Sequence, residues 1–301
     1  MKTASRPPNR ASPRRGDLRL AVIGGRGFYD WDRLSGAREV RVKTPFGPHS
    51  GPILAGELDG VPCAFLPRHG KGHVLLPGEV NSRANIFALK TLGVERIIGL
   101  GAVGSLREDL PPRHFFFPDQ VVDETKLRKG TFFGDGIVAH VAFAHPFCND
   151  QTAVLHEETN RLGIPALKGG VYACMEGPLF STVAESEYHR RMGYSIIGMT
   201  VMPEAKLARE AEICYSSVAM ITDYDCWKPE EEVSTSLVVE NLFANIDNAR
   251  RLLSAAIPRL AALPRACPCS RALAGAIFTA PKAVNRKTAA KLKPLVGKYL
   301  K

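Results

Sequence analysis

One phrase recurs along this chain: a short apolar run that breaks off into glycine and polar residues. Leu18 to Phe28 (LRLAVIGGRGF), Val61 to Gly70 (VPCAFLPRHG), Val94 to Leu106 (VERIIGLGAVGSL) and Gly169 to Phe180 (GGVYACMEGPLF) all follow it. So do the start of Tyr194 to Ile213 and the segment Tyr215 to Trp227 (YSSVAMITDYDCW). Apolar runs of this length bounded by turn residues read as buried strands. Between them, Asn81 to Leu92, Gln151 to Leu162, Ala184 to Met192 and Ser234 to Leu263 have helical spacing, and Pro203 marks a further helix start. Strands alternating with helices predict an α/β protein: a single domain with a central mixed, mostly parallel sheet flanked by helices. In such sheets the ligand crevice lies beyond the carboxyl ends of the strands. The clusters GGRG, RHGKGH, GAVGSL, EGPLFS, MTVMPE and TDYD all fall there, which predicts one shared site.

Charge excludes a nucleic-acid domain at the centre of the chain. The net charge is +10, but residues 1–16 hold five basic groups and residues 264–301 hold nine, with no acid in either; without these fourteen the balance is −4. Residues 1–17 are expected to be a disordered basic tail, residues 18–263 the folded domain, and residues 264–301 a basic C-terminal appendage. Tails of this kind are expected to be solvated and to bind polyanions weakly and without sequence preference. No run of eighteen apolar residues predicts a transmembrane helix, and the basic opening lacks the apolar stretch of a secretory signal. A cytoplasmic protein is expected. Of seven cysteines, five are scattered among apolar residues, as buried reduced thiols are. Cys267 and Cys269 form C-x-C, too sparse for zinc without two more ligands; a disulfide within that pair stays open.

Chemistry concentrates in three clusters. The GGRG turn can aim several N–H groups at an anion, or be a plain tight turn. Arg68 and His69 add a guanidinium, the usual bidentate partner of phosphate, and an imidazole. His69 and His73 have no carboxylate beside them and no H-E-x-x-H, so the cluster reads as an oxyanion pocket without a metal. Asp223 and Asp225, two apart at a strand end, are expected to point to one side. One, protonated, can donate to a ring nitrogen while the other accepts from an exocyclic amine; solvated or capping aspartates are the competing reading.

Taken in order, TPFG (Thr44 to Gly47), RHG, Asn81 to Asn85, GSL, FFGDG, HPFC, MEGP, AES, MPEAKLAREAEICY and TDYDCW resemble the trimeric nucleoside phosphorylase family. The likeness runs from about Leu20 to Leu263 and is strongest for the branch that cleaves 5′-methylthioadenosine. MEGP and TDYDCW are its most specific parts. The resemblance implies a pentosyltransferase of purine and methionine salvage. Phosphate attacks the anomeric carbon of the ribose as the purine departs, giving adenine and 5-methylthioribose-1-phosphate. No cofactor is implied beyond inorganic phosphate as co-substrate. It also implies a homotrimer whose sites are completed by a neighbouring subunit, with no membrane and no specific nucleic acid as partner.

By the same resemblance, Gly25, Arg26, Arg68, His69, Gly101, Ala102 and Thr200 occupy the phosphate positions. Met199 packs under the ribose and Phe180 against the base. Asp223 donates to the imidazole-ring nitrogen of the purine and Asp225 recognises the 6-amino group; with His69 they form the expected catalytic set. Relatives that act on 6-oxopurines carry an amide where Asp223 stands. Ser181, Thr235 and Val238 shape the methylthio pocket, and His140 arrives from the neighbouring subunit. The chain departs from the family at Arg26, where a small hydroxyl residue is usual, and at Gly101, where Thr or Ser is usual. Asp123 to Lys126 (DETK) lacks the usual Arg-Thr. Two other readings therefore stand beside the first: a phosphorylase for adenosine- or inosine-type nucleosides, and a silent nucleoside-binding homologue. A third, an RNA-associated protein using its basic tails, would show salt-sensitive binding.

Overall fold

The computed structural model describes residues 18–25, 31, 33–228 and 235–300, except the side chains of 235 and 237. The strands are β1 (Leu20–Gly24), β2 (Leu34–Val40), β3 (Ile53–Leu58), β4 (Val61–Pro67), β5 (Arg96–Ser105) and β6 (Phe115–Phe117). They continue with β7 (Gln120–Asp123), β8 (Ala166–Lys168), β9 (Val171–Cys174), β10 (Ile196–Gly198) and β11 (Cys214–Asp223). The helices are α1 (Ser82–Leu92), α2 (Asn149–Arg161), α3 (Val183–Arg191), α4 (Val201–Glu210), α5 (Thr235–Ala262), α6 (Arg286–Lys291) and α7 (Lys293–Val296).

All eleven strands join one mixed sheet with β5 at its centre, flanked by β1, β10 and β11. The central β4, β1, β5 and β11 run parallel, while β2 and β3 form an antiparallel border. The expected fold class is thus the observed one. Alternation along the central strands divides the core. Ala21, Ile23, Ile97, Tyr215 and Ala219 pack with α1 and α4 on one face. Leu20, Val22, Ile98, Val218 and Met220 pack with α2 and α5 on the other. This period of two is why the apolar runs are continuous: both faces are covered.

Local signals set the helix ends. The Asn81 side chain accepts from the Ala84 amide at the start of α1, and Gly93 closes that helix in the left-handed conformation. Thr182 and Glu185 cap α3 reciprocally. The C-terminal segment departs from the expected solvated tail. Leu292, Leu295 and Val296 are buried in the core layer that holds α1, because three apolar residues outweigh the basic composition around them. The N-terminal tail, residues 1–17, lies outside the described residues.

Candidate active site

The opening lies where β5 changes partners. Its first half pairs with β1 as far as Gly99, and its last residues, Gly104 and Ser105, pair with β10. Between them Gly101 and Ala102 are the only residues of β5 that are not buried. This is a topological switch point of the kind that binds ligands in open α/β sheets. Gly25 follows β1 on one side, and Thr200 precedes α4 on the other. A Cβ on Gly101 would stand 2.8 Å from the Thr200 hydroxyl oxygen, so the bare glycine lets the two segments meet. The departure at Gly101 therefore has a steric reason in this chain. Arg26 lies outside the described residues.

Arg68 and His69 reach the same place but are already engaged. Arg68 is 3% exposed and turns its fork on Glu204, Nε to Oε1 at 2.6 Å and Nη2 to Oε2 at 3.0 Å. Nη1 and Nη2 also donate to the carbonyls of Leu100 and Ile23. One of its five N–H groups is left, so the bidentate phosphate contact expected of it is taken by Glu204. Glu204 accepts from the Tyr215 hydroxyl as well, at 2.8 Å. His69 stacks on His73, and its Nδ1 lies 2.9 Å from the carbonyl of Leu75. Burial, then the charge of Arg68, lowers its pKa to about 4. The ring is neutral at pH 7, its proton on Nδ1 facing that carbonyl, which leaves Nε2 as an acceptor. It can take a hydrogen bond from a P–OH, or a proton when an anion arrives.

At the end of β11 the two aspartates meet over Gly104. A Cβ there would stand 2.8 Å from Asp223 Oδ1 and 3.3 Å from the Asp225 Cβ. Their convergence is not the strand alternation expected: β11 ends at Asp223, and Asp225 sits in the following turn at φ +54°. That turn brings the Asp225 amide to donate to Asp223 Oδ1 at 2.9 Å. Both side chains are buried, and Asp225 Oδ2 has no hydrogen-bond partner among the described residues. Burial, followed by smaller effects including the Asp225 charge, raises Asp223 above its ordinary pKa, against hydrogen bonds from Thr222 and the Asp225 amide. The Thr222 hydroxyl lies 2.7 Å from Asp223 Oδ2 and 3.3 Å from the Val103 carbonyl. Its single proton can serve either, so protonating Asp223 frees it for Val103.

Other expected residues line up around these. Met199 packs on Gly177 of MEGP, where a Cβ would lie 2.5 Å from the Met199 sulfur. Phe180 is 51% exposed, and Ser181 is tied to the TDYDCW turn by the Cys226 thiol, which donates to its carbonyl. The Ser181 hydroxyl is buried without a partner among the described residues. Val238 is half-buried near the start of α5, and the Thr235 side chain lies outside the described residues. His140 is exposed and stands apart, edge-on to Phe278, itself 71% exposed.

Sequence reasoning overlooked the residues that hold these loops in place. Arg128 donates to the carbonyls of Met175, Glu176, Met199 and Met202 and to Glu176 Oε1. Glu176 in turn accepts from the amides of Lys126 and Leu127. The specific MEGP motif is thus clamped to the segment Met199 to Met202, with Arg128 supplying the cation. Lys206 pairs with Asp123, and His189 with Glu124, behind them. Among the described residues, only Cys148, Cys214, Cys267 and Cys269 gather in a way that could hold a metal ion, and they are not part of this opening.

Comparison with known proteins agrees with this architecture. A profile of the phosphorylase superfamily matches residues 19–258. The S-methyl-5′-thioadenosine phosphorylase of Koribacter versatilis is 51% identical over 93% of this chain and 96% of its own length. That of Rhodospirillum rubrum is 52% identical over 93% and 97%. A crystal structure of a methylthioadenosine phosphorylase from an antarctic soil metagenomic library superposes with a TM-score of 0.89 at 45% identity, covering 93% of this chain and 99% of that one. The Schistosoma mansoni methylthioadenosine phosphorylase in complex with adenine gives 0.77 at 38%, covering 82% and 93%. With the switch-point opening, the paired aspartates and matches of this extent, the chain belongs to the phosphorylase superfamily and, within it, to the S-methyl-5′-thioadenosine phosphorylases.

Proposed function

We propose that this protein cleaves 5′-methylthioadenosine with inorganic phosphate, as a cytoplasmic homotrimer. A phosphate oxygen bonds to the anomeric carbon, the C–N bond to adenine breaks, and its electron pair and a proton end on the purine. Positive charge builds on the sugar and negative charge on the base, so the site needs an anion below the ring and a donor at the purine. Gly25, Arg68, His69, Gly101, Ala102 and Thr200 would hold the phosphate, with Arg26 beside them. Met199 would support the ribose and Phe180 the base. Ser181, Thr235 and Val238 would shape the methylthio pocket, closed by His140 of a neighbouring subunit.

The observation that carries this reading is the Asp223–Asp225 pair. Burial raises the pKa of Asp223, which favours proton transfer from it to the departing purine, and Asp225 Oδ2, without a partner among the described residues, is an acceptor suited to an amino group. Trimer formation is supported by apolar side chains left at the surface, Leu127, Leu179, Val183 and Phe278 among them. Base release from methylthioadenosine and adenosine (adenine) and from inosine (hypoxanthine), each titrated with phosphate, tests the proposal. Phosphate-dependent adenine release fastest with methylthioadenosine supports it; calorimetric binding of methylthioadenosine without any base release sinks it in favour of a silent homologue.

A further inference from the structure

At the amino-terminal end of β11, where the C-terminal segment packs, four sulfurs meet. Cys148 caps the start of α2, Cys214 opens β11, and Cys267 and Cys269 bracket Pro268 beyond α5. The C-x-C that looked too sparse in sequence thus finds its two missing ligands, 53 residues or more upstream. All four are buried, and they form a cluster that no other apolar residue among the described residues shares. Their Sγ atoms all lie within 4.8 Å of one another, with Cys214 and Cys267 at 3.3 Å. A tetrahedral zinc with bonds of about 2.3 Å spaces its sulfurs about 3.8 Å apart, inside that range. All seven cysteines of the chain are free thiols.

An independent observation points to negative charge at this place. Arg96, opposite Cys214 in the sheet, is 4% exposed. Its Nη1 donates to Cys214 Sγ at 3.8 Å and its Nη2 to the carbonyls of Leu263 and Pro264. No carboxylate pairs with it among the described residues. A buried guanidinium without a counter-ion is costly, and a thiolate cluster beside it supplies one.

We propose that Cys148, Cys214, Cys267 and Cys269 bind one structural zinc ion that fastens residues 264–300 to the sheet. Four thiols bound to Zn²⁺ give up four protons, and the resulting tetrathiolate carries two negative charges, one of them facing Arg96. Four protein sulfurs leave no position for water or substrate, so the ion is structural. The surrounding contacts serve the same end: Glu212 accepts from the Leu273 amide and the Tyr299 hydroxyl and pairs with Lys298.

Protein purified without chelator from zinc-supplemented cells is assayed for zinc, iron and copper by mass spectrometry. Its thiols are then counted after denaturation with a chelator. The proposal expects one zinc per chain and seven thiols, and loss of the zinc in Cys267→Ser with Cys269→Ser but not in Cys226→Ser. The wild-type measurements stand alone should the double variant fail to fold. Seven thiols with less than a tenth of a zinc per chain overturn it. So do five or three thiols, which mean disulfides, and stoichiometric iron or copper in place of zinc.

Discussion

The backbone N–H of Asp225 donates to Oδ1 of Asp223 at 2.9 Å, so the two carboxyl groups of the site are joined through the turn that separates them. The bond fixes one oxygen of Asp223 and leaves Asp225 with a buried Oδ2 that nothing among the described residues satisfies. An acceptor kept dry and unpaired costs stability, and such strain is retained where a ligand completes it.

Asp223→Asn is expected to lower kcat/KM for methylthioadenosine roughly 10²–10⁴-fold, the usual contribution of a positioned acid. Because a donor amide suits a 6-oxopurine, the ratio of inosine to methylthioadenosine cleavage should rise in the same variant. The folded-state pKa of Asp223 is raised, so stability falls as pH climbs from its ordinary value through the raised one. Removing the charge should therefore raise Tm at neutral pH while activity drops. A neutral-pH Tm below wild type, with unchanged activity, would contradict the role assigned to this carboxyl.

His69 gives the opposite sign. Its pKa falls from 6.5 to about 4 in the folded state, so the unfolded chain binds the extra proton between those values. Stability from this group is complete above pH 6.5 and is lost as pH falls toward 4, at most about 3 kcal/mol over the window. Melting curves of wild type and His69→Asn from pH 7 to 4 should converge as the pH drops. Parallel curves would mean that the imidazole is not buried as described.

Much of the fold was legible because its central strands are buried on both faces. The runs read in sequence at 18–28, 61–70, 94–106 and 215–227 hold the strands at 20–24, 61–67, 96–105 and 214–223. The border strands were not legible. β2 is exposed at nearly every position, and β6 and β8 have three residues each, too few for any period to show. In the site, glycines and aspartates announced themselves by type and place. Arg128, Glu176 and Glu204 did not, since a charged residue that clamps two loops looks in sequence like any solvated one. The four-cysteine cluster was hidden for another reason: its members are 148, 214, 267 and 269, and only the sheet brings them together.

Gly101→Ala places a methyl where the Thr200 hydroxyl stands, 2.8 Å away, so that hydroxyl must rotate or retreat. The expected result is a several-fold rise in phosphate KM with little change in the KM for nucleoside. Thr200→Val should do the same. Because both substitutions disable one hydroxyl, the double variant should be no worse than the poorer single one, a departure from additivity. Additive losses in phosphate titrations would show that the two residues act separately.

Glu204 is 1% exposed and serves as the counter-ion of Arg68. Burial opposes the charge on Arg68, and the bidentate contact with Glu204 more than restores it, holding its pKa above the ordinary value. Glu204→Gln leaves the guanidinium buried and unpaired, at a cost of about 3–5 kcal/mol. A Tm drop of several degrees should follow, with a raised phosphate KM as the last free N–H of Arg68 loses its orientation. Pairing the change with Arg68→Met removes the stranded charge, so the double variant should regain much of the lost Tm. It should not regain phosphate affinity, because the donor is gone. If the double variant melts below Glu204→Gln alone, the pair is held by packing rather than by charge, and the orienting role of Glu204 is wrong.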